Sequence, residues 1–208
     1  MSFDVEALQG IHASEGIGWD PKIYELLAPC GSELTLLRHV TSHGTANDCQ
    51  SILAECGYNN NGTIVPVVSQ IGTMKIPGVD GRVERQRVMV SHFGALFLDP
   101  VRKAMGIAFG TSGKNGKEFM RISVANGDMV DLIGVQEGVS SPFIPTAKYA
   151  NFARVGVVFD TGNQAEVLAI AASRNTTLLI PRLNYESVMT NLAEADPRLI
   201  VLRFPLEP

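Results

Sequence analysis

The sequence predicts an α+β protein, in which a β-rich central region packs against helix-and-strand elements supplied by both ends of the chain. Three patterns predict this class: mixed helix and strand signals over residues 1–62, tight-turn dipeptides between short apolar segments over 63–139, and alternating strands and helices over 150–208. The chain has 208 residues, 45% apolar and 18% charged, which is enough to form a substantial core and too apolar for disorder. We therefore expect a single compact domain over residues 1–208.

The N-terminal region predicts a helix, a strand and a second helix, over residues 19–31, 32–40 and 45–57. Asp20 is a suitable N-cap for the first helix, and Pro21 is favoured at a first helical position. Gly57 follows the second helix, where a left-handed residue commonly ends the element. A Val- and Ile-rich strand comes next, and Pro66 within it indicates an edge position or a bulge because proline donates no ladder hydrogen bond.

The central region, residues 63–139, is predicted to be all β. Pro77-Gly78 and Asp80-Gly81 indicate the turn of a hairpin. The strand after this turn starts with alternating polarity and becomes apolar on both faces, so we expect it to pass from an exposed to a buried setting. Asn115-Gly116 and Asn126-Gly127 predict tight turns between two or three further strands, since both residue types tolerate positive φ.

The C-terminal region predicts strand, helix, strand, helix and strand in that order. The segments are residues 153–159, 164–173, 176–182, 185–195 and 198–204. This alternation is typical of parallel or mixed α/β packing.

The string "VVFDTG", Val157 to Gly162, resembles the Asp-Thr-Gly turn of aspartic proteases. Those enzymes need two aspartates that share one proton. This chain has no second Asp-Thr-Gly or Asp-Ser-Gly, and the residues that follow predict a helix. We therefore assign no catalytic residue to this string.

A helix start explains the same string without chemistry. Thr161 would be the N-cap and Gln164 would complete a capping box, while Asp160 would lie at the positive end of the helix dipole. Gly162 would allow the strand-to-helix turn. Because ligands of α/β sheets bind near strand ends and helix N-termini, Asp160, Thr161, Gly162 and Gln164 form our candidate ligand-binding site.

Two other motifs fail as cofactor sites. The loop from Gly110 to Phe119 has five residues where a phosphate loop has four, and Glu118 stands where a hydroxyl is required. A second set could suggest zinc: His39, His43, Cys49 and Cys56. The two histidines lie in a predicted strand and turn, and the spacing of the two cysteines also fits core packing on one helical face, so we expect no metal and no cofactor.

Two possible nucleophile–base pairs, Cys30 with His39 and Ser91 with His92, lie in no recognised catalytic signature. We expect His92, which lies in an apolar segment, to be a hydrogen-bonded interior histidine.

Charge and cysteine content limit the partners and the compartment. The chain carries 17 basic and 21 acidic residues without a basic stripe, so nucleic acid is not an expected partner. Three cysteines imply no disulfide framework, and the first residues do not resemble a signal peptide. Apolar segments are too short for membrane insertion. These features predict the cytoplasm, or a particle assembled there.

Low charge and a positive mean hydropathy favour a surface that is partly buried between subunits. We therefore expect a structural or assembly protein that forms homo-oligomers or joins a larger complex, for example as a component of a virus or phage particle. Its partners would be itself and other assembly subunits, and the sequence favours a non-enzymatic role. The alternative is a soluble α/β enzyme or small-ligand-binding protein with its site near Asp160–Gln164.

Overall fold

A computed structural model describes residues 3–44, 48–58, 62–77, 82–93, 106, 120–121, 126–135, 139 and 141–205. The helices of this part are α1 (Val5–Glu15), α2 (Pro21–Leu27), a 3₁₀ segment (Ala28–Glu33), α3 (Asp48–Glu55), α4 (Asn126–Ile133), α5 (Thr146–Tyr149) and α6 (Arg182–Ala195). The strands are β1 (Thr35–Arg38), β2 (Ile64–Pro77), β3 (Val83–Phe93), β4 (Met120–Arg121), β5 (Arg154–Asp160), β6 (Val167–Ser173), β7 (Thr176–Pro181) and β8 (Leu199–Phe204). The fold class is α+β, as the sequence predicted.

The strands form one mixed sheet in the order β1-β7-β6-β2-β3-β5-β8, with β4 paired to β2. The long strand β2 joins the two halves of this sheet. Its residues Ile64–Pro66 pair in parallel with β6, and its remainder pairs antiparallel with β3. Strands β3, β5 and β8 run parallel to one another, whereas β6, β7 and β1 form antiparallel pairs. Pro66 is the last residue paired with β6, where β2 passes from one half to the other.

The predicted N-terminal elements are confirmed, with one change at the end of the first helix. Asp20 caps α2 by accepting a hydrogen bond from the Lys22 amide at 2.8 Å, and Pro21 is the first helical residue. The chain then continues into the 3₁₀ segment instead of stopping at Gly31. Gly57 follows α3 with a φ of 79°, as expected of a helix C-terminal glycine.

Helix α1 was not predicted. Asp4 caps it by accepting a hydrogen bond from the Glu6 amide at 2.9 Å, and Gly16 ends it in the left-handed region. Only Leu8 and His12 of this helix are buried. An amphipathic pattern that contains one apolar and one polar buried residue is too weak to recognise from hydrophobic periodicity.

The predicted helix over 164–173 is wrong, because these residues lead into strand β6. Strand β6 turns through Arg174 and Asn175 directly into β7, with Ser173 opposite Thr176. The apolar segment Val167–Ser173 is buried along most of its length. A short segment that is apolar on every side has no periodicity to separate strand from helix, so its hairpin partner decided the outcome.

The prediction of a tight turn at Asn126-Gly127 followed by a strand is also wrong. These two residues begin helix α4. Within that helix, Met129, Leu132 and Ile133 are buried, and their spacing is that of one helical face.

The hairpin of the central region is confirmed by the antiparallel register of β2 and β3, which brings Pro77 opposite Val83. The first residues of β3 are largely exposed, and Val88–Phe93 are buried, so the predicted change of setting is confirmed. The turn residues 78–81, the Asn115-Gly116 turn and the loop Gly110–Phe119 lie outside the described residues.

Both faces of the sheet are covered by apolar side chains. The larger core includes Phe93, Phe143, Phe159 and Tyr185, whose rings contact one another in tilted or edge-on pairs. A smaller cluster on the other face contains Met74, Ile76, Val88, Val90 and Val158. No helix among the described residues has both the length and the hydropathy needed to cross a bilayer.

Candidate functional site

The loop after β5 contains the four residues of the predicted ligand site. Asp160 is buried at the end of β5, and its Oδ1 accepts a hydrogen bond from the Gly162 amide at 3.0 Å. Thr161, Gly162 and Gln164 are exposed. Because residues 164–173 do not form a helix, the capping box of Thr161 and Gln164 does not form. The helix dipole that was expected to attract a ligand is therefore missing from this loop.

The Arg182 guanidinium, at the start of α6, holds this loop in place. It donates to the carbonyl oxygen of Asn163 at 2.6 Å and to that of Asp160 at 3.0 Å. Its Nε donates to Glu186 at 2.8 Å, and its planar group lies 5.0 Å from the centre of the Phe93 ring. Charge-assisted hydrogen bonds to two carbonyls of one turn fix the turn's shape. The sequence contains no local signal for this contact, because Arg182 is 19 residues beyond Asn163.

Three buried polar side chains lie close together on the face of the sheet that carries the smaller core. His92 of β3 pairs with Val158 of β5, so its side chain shares a face with Asp160 two residues further on. Gln70 of β2 is a diagonal neighbour of His92 on the same face. These three side chains lie at the end of the parallel strands β3 and β5, which is where ligands bind in many α/β sheets.

His92 is 1% exposed, and among the described residues neither of its ring nitrogens has a hydrogen-bond partner. The side-chain carbonyl oxygen of Gln70 is also buried and likewise has no hydrogen-bond partner among the described residues. Burial lowers the pKa of His92 to about 4, and the nearby Asp160 opposes that shift. His92 is therefore an interior histidine as predicted, but the described part of the chain supplies none of the hydrogen bonds that we expected for it.

The two possible nucleophile–base pairs do not form. Ser91 hydrogen-bonds Ser69 at 2.6 Å, and as the strand neighbour of His92 it points to the opposite face of β3. The Cys30 thiol instead donates to the Leu26 carbonyl at 3.9 Å.

His39 and His43 both bind the Thr177 hydroxyl, at 3.1 and 2.9 Å. His39 Nδ1 also donates to the Thr41 carbonyl at 2.6 Å, so its Nε2 accepts from Thr177 when the ring is neutral. Burial, followed by the charge of His39, lowers the pKa of His43 to about 4. Burial likewise raises the pKa of the Cys49 thiol to about 11. The described part of the chain contains no group of three or more His, Cys, Asp or Glu side chains placed to hold an ion.

A groove of about 520 Å³ lies between α1 and the adjoining ends of β1 and β7. It is lined by Ala7, Gly10, Ile11, Ser14, Glu15, Arg38, His39, Asn175 and Thr176. His12 fixes α1 beside the sheet, because its Nε2 donates to the Ala172 carbonyl at 2.8 Å and its Nδ1 accepts from the Tyr24 hydroxyl at 2.6 Å. Burial lowers the pKa of His12 to about 4, so this ring is neutral near pH 7.

Strand β8 lies at one edge of the sheet, and β5 is the strand paired with it in the described part of the chain. Ile200, Val201, Leu202 and Phe204 are half-buried there, and Arg203 is exposed. No other described strand pairs with the outer side of β8, and an apolar strand edge is a surface on which another strand can pair.

Sequence reasoning missed both the groove and the edge position of β8. The groove depends on α1, whose hydrophobic pattern is weak. It also depends on Asn175, which was predicted to connect a helix to a strand and instead lies in the turn between β6 and β7. Strand β8 itself was predicted, but its position in the sheet is set by which strands pair, and pairing is not a local property.

The sequence matches no protein-family model, and no curated protein is significantly similar to it.

Proposed function

We propose that this protein is a structural or assembly protein that forms homo-oligomers by pairing the outer edge of β8 with β8 of a second copy. The observation that carries the proposal is the apolar, six-residue edge of β8. Proteins usually protect such edges with very short strands, charges or covering elements.

The direction of each backbone group in β8 follows from its hydrogen bonds to β5. The carbonyl of Arg198 accepts from the Val155 amide at 2.8 Å, and the carbonyl of Phe204 accepts from the Thr161 amide at 3.2 Å. Because backbone groups alternate along a strand, the residues at 198, 200, 202 and 204 face β5. The amide and carbonyl groups of Val201 and Arg203 therefore face outward.

This alternation suits an antiparallel pair of identical strands. With a two-fold axis at Leu202, Val201 of one copy lies opposite Arg203 of the other, and each pair exchanges two backbone hydrogen bonds. The Arg203 side chain is already occupied within its own chain. It lies 3.7 Å from Glu186 and 5.4 Å from the centre of the Phe159 ring. The Arg203 guanidinium therefore lies over the face of the sheet, where it does not block strand pairing at the edge of β8.

A larger complex, such as a virus or phage particle, needs a second contact in addition to this dimer. The other edge of the sheet is β1, and Val40, two residues beyond it, is 88% exposed. Pairing at β8 together with contacts near β1 would extend dimers into a larger assembly.

The test is the mass of the native protein, measured by analytical ultracentrifugation over a range of concentrations. We expect a dimer or a multiple of it. Val201→Pro removes an outward amide without removing a bond to β5, so we expect it to give a folded monomer. Val201→Ala, the matched control, loses more side-chain packing but keeps the amide, and should remain a dimer. A monomeric wild-type protein at micromolar concentrations, or a dimeric Val201→Pro variant, would refute the proposal.

A second candidate function is small-ligand binding near Asp160–Gln164, as in the alternative that the sequence left open. The observation that favours it concerns two buried side chains beside Asp160: the His92 ring nitrogens and the Gln70 side-chain oxygen have no hydrogen-bond partner among the described residues. Buried polar atoms without partners destabilise a fold unless water or a ligand satisfies them. A high-resolution crystal structure tests this candidate. A bound organic molecule against His92 would support it, and ordered water that satisfies both His92 and Gln70 would remove its basis.

A further inference from the structure

The groove beside α1 has a rigid rim, although residues 39–43 are irregular. The Asn175 side-chain amide donates to the carbonyls of His39 at 3.2 Å and Val40 at 2.8 Å. The Glu55 carboxylate accepts hydrogen bonds from the amides of Val40 and Thr41. A backbone hydrogen bond from the His39 amide to the Asn175 carbonyl at 3.1 Å completes the rim. These bonds tie residues 39–41 to the turn before β7 and to α3, and preorganisation of this kind favours binding.

Gly10 lies in the middle of α1 and lines this groove. A Cβ at this position would meet no atom within 4 Å, so neither packing nor an unusual φ requires glycine here. Alanine would stabilise a helix interior by about 1 kcal/mol relative to glycine. The chain thus breaks a local rule where a larger side chain would occupy the groove, and such exceptions are expected at functional sites.

Two opposite charges line the groove. Arg38 is exposed at the end of β1, and Glu15 is exposed at the end of α1. The ion pairs of the described residues involve neither side chain. The groove therefore presents one guanidinium and one carboxylate that are both available to a ligand.

We propose that this groove binds a small zwitterionic molecule of the amino-acid or short-peptide class. The ligand carboxylate would bind Arg38, because a guanidinium matches a carboxylate with two parallel hydrogen bonds. Its ammonium group would bind Glu15, and its side chain would lie along Ala7, Gly10 and Ile11. The volume of about 520 Å³ lies within the range of small-ligand pockets.

Binding is tested by titrating ¹⁵N-labelled protein with each common L-amino acid and its homodipeptide at millimolar concentrations. We expect at least one probe to shift the amide signals of groove residues in a saturable way. N-acetylation or C-terminal amidation of that probe removes one charge, and each should weaken binding about tenfold or more. If no probe binds at millimolar concentration, or if both blocked forms bind as well as the free form, the proposal is wrong.

Variants assign the binding to this groove. Gly10→Leu fills the space and Arg38→Gln removes the guanidinium, so each should weaken binding of the same probe about tenfold or more. Gly10→Ala controls for helix propensity and should raise the thermal midpoint. Arg174→Gln, an exposed arginine that does not line the groove, should leave binding unchanged. Unchanged binding in both Gly10→Leu and Arg38→Gln would refute the assignment. Because the groove and β8 are separate, the native mass of Gly10→Leu should equal that of the wild type.

Discussion

Replacing Arg182 by methionine tests the interpretation that the loop after β5 is held as part of the fold. Methionine keeps the apolar contact with Phe93 and removes the guanidinium. The carbonyls of Asp160 and Asn163 then lose the guanidinium donor, at 3.0 and 2.6 Å, and Glu186 loses its partner at 2.8 Å. The Asp160 carbonyl keeps the Asn163 amide at 3.4 Å, and Glu186 keeps Arg203 at 3.7 Å.

The expected loss of stability follows from these contacts. A hydrogen bond to a charged group contributes about 1.5–3 kcal/mol, and a cation–π contact about 0.5–1 kcal/mol. The side chains of Arg182 and Glu186 are only 19% and 16% exposed, but Glu186 keeps Arg203 as a second cation, so the loss of this ion pair adds little. With that reduction, and with water able to reach the loop, we expect Arg182→Met to lower the free energy of unfolding by about 3 kcal/mol.

The measurement is urea unfolding followed by circular dichroism, together with amide hydrogen exchange over residues 160–166. The exchange of these amides should accelerate more than that of β7. Arg154→Met is the matched control, because the exposed Arg154 side chain hydrogen-bonds only the neighbouring Ala153 carbonyl among the described residues. Its effect should stay within about 0.5 kcal/mol. A loss below about 1 kcal/mol for Arg182→Met, with unchanged exchange, would show that the guanidinium does not hold the loop.

Three further predictions concern pH, a glycine and a buried hydroxyl. The free energy of unfolding should fall as the pH decreases from about 6.5 to about 4, by up to about 1.4 kcal/mol per pH unit for each histidine, because the unfolded chain takes up protons that the neutral buried rings do not. The histidines with a pKa of about 4 are His12, His43 and His92. Urea titrations that give the same stability at pH 7 and pH 5 would contradict this. Gly134 and Gly57 both have a left-handed φ, but a Cβ at Gly134 would lie 3.1 Å from the Pro145 ring, whereas one at Gly57 would meet no atom within 4 Å. In thermal unfolding, Gly134→Ala should therefore destabilise the protein by about 1 kcal/mol more than Gly57→Ala. Tyr185→Phe should leave the free energy of unfolding unchanged or raise it, because the buried Tyr185 hydroxyl has no partner among the described residues. Tyr149→Phe should lower it by about 1 kcal/mol, because it removes a 2.9 Å hydrogen bond to the Pro142 carbonyl. Equal losses for the two tyrosine variants would contradict the last expectation.

Local signals in the sequence were sufficient for elements whose ends carry their own chemistry. Asp20 and Pro21 located the start of α2, and Gly57 located the end of α3. The change from alternating to continuous apolar residues predicted the burial of β3. Such signals act over a few residues, so they can be read without knowledge of the partner strands.

The candidate site could not be predicted in the same way. Asp160 was identified as a residue of interest, but the helix expected after it is the strand β6, whose hairpin with β7 overrode a sequence without clear periodicity. Its companions His92 and Gln70 come from strands far away in the chain, and only their register brings them to one face.

The sequence by itself determined the α+β class, the helices α2, α3 and α6 and most of the strands, because capping, turn and periodicity preferences are local free energies. Only the tertiary structure decided that β8 is an edge of the sheet formed by the described strands, that Arg182 holds the loop after β5, and that Gly10 and Arg38 line one groove. Each of these depends on contacts between residues distant in the chain, and such contacts exist only once the strands have chosen their order and register.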